Sequence, residues 1–284
     1  MKKFIAGVFS ILISSGVFLF EAQPDGLMHV YFLNVGQGDA TLIRTPSGKN
    51  ILIDGGPQKN ILSEIRNALP YLKSKIDIVI LTHADRDHIE GLISILERYK
   101  VEKVYSTGLY KSDYFSNKFL KLIREKNVQL VVTNSLSDVR LEDGTLIDFL
   151  FPLAQTFDSG AKANSNSVVA QVVFGENKIL LTGDADCAEE NSIIKSGVEL
   201  KSNILKVGHH GSRTSTCETF LEKVKPKISA ISVGADNKYG HPNGELMSRL
   251  KKIRTQILRT DKDGRIEITL NKNGVTSIKT QSIR

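Results

Sequence analysis

Tryptophan is absent from the 284 residues, and only two cysteines, seven prolines and three methionines occur. Without tryptophan, and with no aromatics spaced as a ladder, the sequence shows no array on which successive nucleobases would stack. Two cysteines do not make a disulfide framework, which excludes a small stapled scaffold. Cys187 and Cys217 either bridge in an oxidising compartment or are two unrelated thiols. No proline-rich or low-complexity tract divides the chain, and 40% hydrophobic against 24% charged residues is enough for a sizeable core. The length admits one large α/β domain or two small ones. With no linker to divide it, residues 25–284 read as one domain.

Residues 4–20 lack charge altogether: Lys2 and Lys3 precede a stretch from Phe4 to Phe20 made mostly of Ile, Leu, Val and Phe. At about 1.5 Å per residue it reaches roughly 25 Å, near the lower limit for crossing a bilayer. Residues 1–24 therefore read as a signal or membrane anchor. No clean small-x-small cleavage site precedes Pro24, which favours an uncleaved anchor with the lysines inside and the domain extracytoplasmic; cleavage would give a secreted protein.

Negative charge is scarce in the last third. Residues 195–284 carry 18 lysines and arginines against 8 acidic residues, among them Lys223, Lys225, Lys227, Arg249, Lys251, Lys252, Arg254 and Arg259. A one-sided basic face suits DNA or another phosphate polymer as partner, and it equally suits a solvated face that keeps the protein soluble.

What the chain does have is Thr82-His83-Ala84-Asp85-Arg86-Asp87-His88, two imidazoles and two carboxylates directly after the apolar run Ile76 to Leu81. The run reads as a buried strand, and Ile89, Leu92, Ile93 and Leu96 mark a following helix. A strand-to-helix junction needs one capping residue, not four potential ligands. Imidazole and carboxylate without a nearby thiolate suit Zn²⁺ or Mn²⁺ and argue against a structural zinc knot.

Strands are expected at Met28 to Asn34, Ala40 to Arg44, Asn50 to Asp54, Val101 to Tyr105, Val128 to Val132 and Leu146 to Phe151, with helices at Ile61 to Leu72 and Phe115 to Lys126. A second block has strands at Ser167 to Phe174, Lys178 to Thr182, Asn203 to Val207 and Lys227 to Ser232. Its helices are expected at Glu189 to Lys195, Glu218 to Lys223 and Glu245 to Ile253, and a terminal hairpin at Arg265 to Ile278. Two blocks of similar grammar suggest an αββα sandwich of two sheets with helices outside. Further polar groups follow strand ends: Asp54, Asp184, His209 with His210, and His241. Gathering at one end of a sheet is how an α/β scaffold assembles a site.

The combination Asn34-Val35-Gly36-Gln37-Gly38-Asp39, Leu52-Ile53-Asp54-Gly55-Gly56, His83-x-Asp85-x-Asp87-His88, Thr182-Gly183-Asp184, His209-His210-Gly211-Ser212 and Gly240-His241-Pro242 resembles the metallo-β-lactamase superfamily. Within it, the set looks like the β-lactamase-like domain of competence proteins of the ComEC family. The resemblance implies an αββα fold with a two-metal hydrolytic site and, in the competence branch, a metal-dependent nuclease. It implies His83, Asp85 and one of His209 or His210 on a first metal, Asp87, His88 and His241 on a second, and Asp184 between them. His210 is preferred as the ligand, leaving His209 to face substrate. Asp87, His209 and Asp54 are expected to serve catalysis, Asp54 and Asn34 by holding loop geometry, and Asp39 and Asn166 are weaker candidates. Two departures stand out: Asp85 replaces the usual second histidine, and no histidine lies between His88 and His209. Carboxylate for imidazole favours a harder ion and moves the expected substrate from a lactam toward a phosphodiester. A small-molecule hydrolase acting on a lactam, thioester or phosphorylcholine ester, and a non-catalytic DNA-binding module, are the alternatives.

Overall fold

The computed structural model describes residues 23–57, 60–69, 75–154 and 166–281. The apolar run Phe4 to Phe20 lies outside the described residues, as does the end of the helix expected to reach Leu72. Among the described residues no helix is long and apolar enough to cross a membrane.

Two sheets form the centre. The first contains β1 (Met28–Phe32), β2 (Thr41–Arg44), β3 (Asn50–Ile53), β4 (Lys75–Leu81), β5 (Lys100–Ser106), β6 (Gln129–Val132), β14 (Ile266–Asn271) and β15 (Gly274–Thr280). Their spatial order is β15-β14-β1-β2-β3-β4-β5-β6. The second contains β7 (Val139–Arg140), β8 (Leu146–Phe151), β9 (Val169–Phe174), β10 (Asn177–Leu181), β11 (Ile204–Lys206), β12 (Ile228–Ile231) and β13 (Gln256–Arg259), in the reverse of chain order. Strands β3 to β6 run parallel, and so do β10 to β13. Parallel strands need both faces covered, which explains the near-continuous apolar sequence of β4.

Alternation along the strands divides the core into layers. Val30, Phe32, Ile43, Ile51, Ile78 and Ile80 meet Phe149, Val172 and Ile179 between the sheets. Leu42, Leu52, Val79 and Leu81 face the other way, onto α1 (Ile61–Ala68), α2 (Arg86–Arg98) and α3 (Tyr114–Glu125). Leu180, Leu205 and Ile231 pack under α4 (Cys187–Ser196), α5 (Glu218–Val224) and α6 (Gly244–Lys252). The result is the αββα sandwich expected from the sequence.

The extra elements are small. β7, β13 and a one-turn helix, α7 (Thr260–Asp263), had no periodic signature, because β13 is an edge strand with Gln256 and Arg259 at its ends. Cys187 and Cys217 form a disulfide with a Cα–Cα separation of 5.7 Å, joining the start of α4 to the residue before α5. The polar turns after β4, β10, β11 and β12 leave the carboxyl ends of their strands, and those of the two sheets meet: Val168 N–H donates to Thr82 O at 2.9 Å.

Candidate metal centre

β4 ends at Leu81, and the chain turns through Thr82 to Asp85, the N-cap of α2, so Asp87 and His88 project from the first helical turn. His88 is held from behind, with Nδ1 2.8 Å from Asp54 Oδ2. Asp54 also accepts from the Thr82 backbone N–H at 2.8 Å and the Thr82 hydroxyl at 2.7 Å. Thr82 Oγ1 lies 3.1 Å from His83 Nδ1. One buried carboxylate thus fixes the junction and orients an imidazole.

From the second sheet, the turn after β10 brings in Asp184, whose N–H donates to Ser167 Oγ at 3.0 Å. The turn after β11 carries His209 and His210 with positive φ values of 47° and 51°. This left-handed backbone directs the rings differently. His210 is buried, whereas the His209 side chain is 36% exposed. His210 Nδ1 lies 3.1 Å from Asp39 Oδ1 and 3.2 Å from the Ser232 carbonyl. Asp39 is in turn paired with the buried Lys206, which also donates to Gly183 O at 3.3 Å.

The other nitrogens of these histidines converge. His88 Nε2 is 3.3 Å, His83 Nε2 3.7 Å and His210 Nε2 3.7 Å from Asp184 Oδ2. His210 Nε2 is also 3.2 Å from Asp87 Oδ2. Yet His83 Nε2, His88 Nε2, His210 Nε2, Asp184 Oδ1 and His241 Nδ1 are buried without an aligned hydrogen-bond partner. Buried polar atoms are nearly always satisfied, so such a convergence needs an absent partner that accepts lone pairs. A divalent cation fits that description, and the engaged Nδ1 atoms leave Nε2 free to bind it.

Electrostatics point the same way. Burial opposes charge on His210, but the Asp184 and Asp39 carboxylates prevail and push its pKa up to about 10. Burial and the charge of His88 push His83 down to about 4. Burial works against ionising Asp184 too, yet the surrounding imidazoles hold its carboxyl well below the usual range. The carboxylates thus favour positive charge at His210 and His88, while His83 is held neutral beside them.

The grouping differs from the sequence-based allocation. His210 belongs with Asp87 and His88, and His83 with His88 and Asp184. The His241 ring lies 6.0 Å from that of His209, and among the described residues His241 falls in none of the tight ligand groups. His209 Nε2 stands 3.8 Å from Asp184 Oδ2, about as near as His83 and His210, but its side chain is half-exposed where theirs are buried. Chain order cannot show which imidazole a left-handed turn will bury. Asp85 is also less free than expected, since its Oδ1 stands 3.9 Å from His83 Nε2 and 2.6 Å from the Lys111 ammonium. Lys111 and Lys206 escaped sequence reasoning because an isolated lysine carries no pattern. Asn166 is buried beside Ser167, and its Nδ2 has no partner.

A metallo-beta-lactamase superfamily model matches residues 33–235, which contain all these residues except His241. The chain belongs to the metallo-β-lactamase superfamily. It is 30% identical over 255 residues to ComE operon protein 3 of Bacillus subtilis, covering 84% of this chain and 32% of that one. To Recombination protein 2 of Haemophilus influenzae it is 32% identical over 265 residues, 91% of this chain and 31% of that one. The chain therefore spans about a third of the length of these relatives. Among solved structures, the metallo-β-lactamase fold protein YhfI of Bacillus subtilis aligns with a TM-score of 0.57 at 13% identity, over 85% of this chain and 99% of that one. Igni18, a metallo hydrolase of Ignicoccus hospitalis, gives 0.55 at 15%, over 90% of this chain and all of that one. These similarities establish the fold, and membership of the superfamily supports a metal-dependent hydrolase with divalent ions at the His and Asp cluster.

The Lys206–Asp39–His210 chain leads to a specific expectation for such a metallo-β-lactamase centre. Burial pushes the Asp39 carboxyl up, and the charges of Lys206 and His210 bring it below the usual range. Asp39→Asn is expected to weaken divalent-metal affinity about 10- to 100-fold, the usual cost of losing a residue that orients a ligand. Lys206→Met should follow it. Competition against a chromophoric chelator measures both; unchanged affinity would remove Asp39 from the centre.

Proposed function

We propose that this domain is a metal-dependent phosphodiesterase that cuts DNA outside the cytoplasm. The observation that carries the reading is the convergence of three free Nε2 atoms on Asp184 with the carboxylates of Asp85 and Asp87 beside them. A donor set so rich in oxygen suits Mn²⁺ as well as Zn²⁺ and a charged phosphoryl substrate. When bound, a pair of divalent ions brings the pKa of water to about 7 and stabilises the charge that builds on the phosphoryl oxygens. His83, Asp85, Asp87, His88, His210 and Asp184 would hold such ions. Asp54 and Asp39 keep the rings of His88 and His210 in place, while half-exposed His209 and His241 face arriving substrate.

The name of one relative, a recombination protein, supports DNA as the polymer. The uncharged run at residues 4–20 supports an anchor, and the Cys187–Cys217 bridge suits an oxidising compartment. Part of the basic third lies away from the metal centre. Lys225 and Lys227 share a surface depression with Lys178 and Lys201 at the amino ends of β10 to β12, opposite the ends that carry Asp184 and His210. Arg259 is forked onto Asp261, and Arg249 donates to the carbonyls of Arg213 and Ser215. A polyanion that uses those lysines must be long enough to wrap the sheet end.

The test is a panel of the purified chain with Mn²⁺, Mg²⁺ or Zn²⁺ on single- and double-stranded DNA, a simple phosphodiester and a lactam. Metal-dependent DNA cleavage whose KM rises steeply with salt is expected. Activity confined to the lactam would replace the reading with a small-molecule hydrolase, and binding without cleavage under every metal would leave a DNA-binding module.

A further inference from the structure

Tyr239 lies in the loop between β12 and α6, two residues before His241, and its side chain is among the most exposed large rings of the described residues, at 70%. One face is stacked on the His241 imidazole, with centroids 5.8 Å apart and planes inclined by 20°. His241 stands 6.0 Å from His209, and His209 Nε2 is 3.8 Å from Asp184 Oδ2. Three rings therefore step outward from the centre of the cluster, and the last presents its second face to solvent.

The loop is built to keep the ring there. Asn237 Nδ2 donates to the carbonyls of Gly234 and His241 at 2.8 and 2.7 Å. Its Oδ1 accepts from the backbone N–H groups of Tyr239 and His241 at 3.2 and 2.9 Å. Gly234 N–H donates to Gln37 Oε1 at 3.1 Å, which ties the loop to the turn that carries Asp39. A single exposed aromatic needs no explanation. An exposed ring stacked on His241, on a loop whose backbone is clamped by Asn237, is a preorganised flat surface two rings from the cluster, and Lys238 beside it adds positive charge.

We propose that Tyr239 is a stacking platform for an unpaired nucleobase next to the phosphate being cut, so that the substrate of this site is single-stranded. The proposal rests on the phosphodiesterase reading above. A base lying on Tyr239 must leave its neighbour in the strand, which a paired and stacked duplex resists. Stacking on one aromatic ring is sequence-tolerant, because every base has a π-face, so a preference for strandedness without a preference for sequence follows.

The experiment compares three substrates of equal length: a single strand bearing bases, the same backbone with abasic nucleotides, and a duplex. Each is tested with the wild-type chain, Tyr239→Ala and Tyr239→Phe in Mn²⁺, with bound metal quantified for each protein. Cleavage of the abasic strand by wild type tests the phosphodiesterase reading alone; its failure together with that of the other substrates ends both ideas. Wild type should favour the base-bearing strand over the abasic one about 10-fold in kcat/KM, mainly through KM, in line with one stacked base. In Tyr239→Ala that ratio should collapse toward one at unchanged metal content, and Tyr239→Phe should restore it. A ratio near one in wild type, or one preserved in Tyr239→Ala, overturns the platform while leaving the phosphodiesterase standing. A phenylalanine variant no better than alanine does the same, since stacking needs the ring and not the hydroxyl.

Discussion

Asp184→Ala is expected to abolish metal-dependent turnover, with a fall of more than about 10³-fold in kcat, because without bound ions the attacking water keeps its ordinary pKa, far above neutrality. Among the described residues Asp184 is the one carboxylate that lies within 4 Å of all four Nε2 atoms, those of His83, His88, His209 and His210. Its removal leaves three buried imidazoles facing one another with less negative charge between them. The backbone should not follow, since the link from Asp184 N–H to Ser167 does not use the side chain. Elemental analysis of the purified variant should show metal content well below wild type with an unchanged far-UV circular dichroism spectrum. Full metal occupancy in Asp184→Ala would take this residue out of the centre.

Gly91→Ala is expected to cost about 3 kcal/mol of stability and to weaken metal binding with it. α2 packs backbone to backbone against the loop after β3: Gly91 N–H donates to Gly56 O and Gly55 N–H to His88 O, both at 2.8 Å. A Cβ on Gly91 would lie 1.9 Å from Gly55 O and 2.7 Å from Gly55 C, and one on Gly55 would lie 2.4 Å from Leu92 N. Main-chain atoms cannot swing aside as a side-chain tip does, so the helix has to move. It carries Asp87 and His88, and the loop carries Asp54, so any separation opens the 2.8 Å contact between His88 and Asp54. Urea unfolding and chelator competition should shift together. A wild-type midpoint in Gly91→Ala would show that the contact relaxes without harm.

Much of this architecture was legible beforehand because it is written in local patterns. The apolar run of β4 and the dense polar septet after it announce themselves within a dozen residues, and Asp54 and Asp184 are marked by following a strand. Partnerships are not local. Which of two adjacent histidines turns inward depends on a left-handed backbone at both, and Asp39 gains its meaning only from Lys206 and His210, some 170 residues away. A ladder would have shown a period, whereas Tyr239 is a single ring whose neighbours in the row, His241 and His209, are supplied by two different turns. The basic third illustrates the converse, because the fold sets Lys201, Lys225 and Lys227 at the end of a sheet away from the metal centre, which their place along the chain does not show.

The disulfide also acts where no fold exists. Asp184 precedes Cys187 by three residues and His210 precedes Cys217 by seven, so in the oxidised unfolded chain a short detour through the sulfurs joins a carboxylate to an imidazole. The bridge keeps part of the ligand set at high local concentration after the sheets have come apart. An ion can then remain associated with the denatured protein, and any affinity for that state subtracts from the stabilisation that metal gives the native one. Reductant should therefore widen the gap in melting temperature between metal-loaded and metal-stripped protein, even as it lowers both.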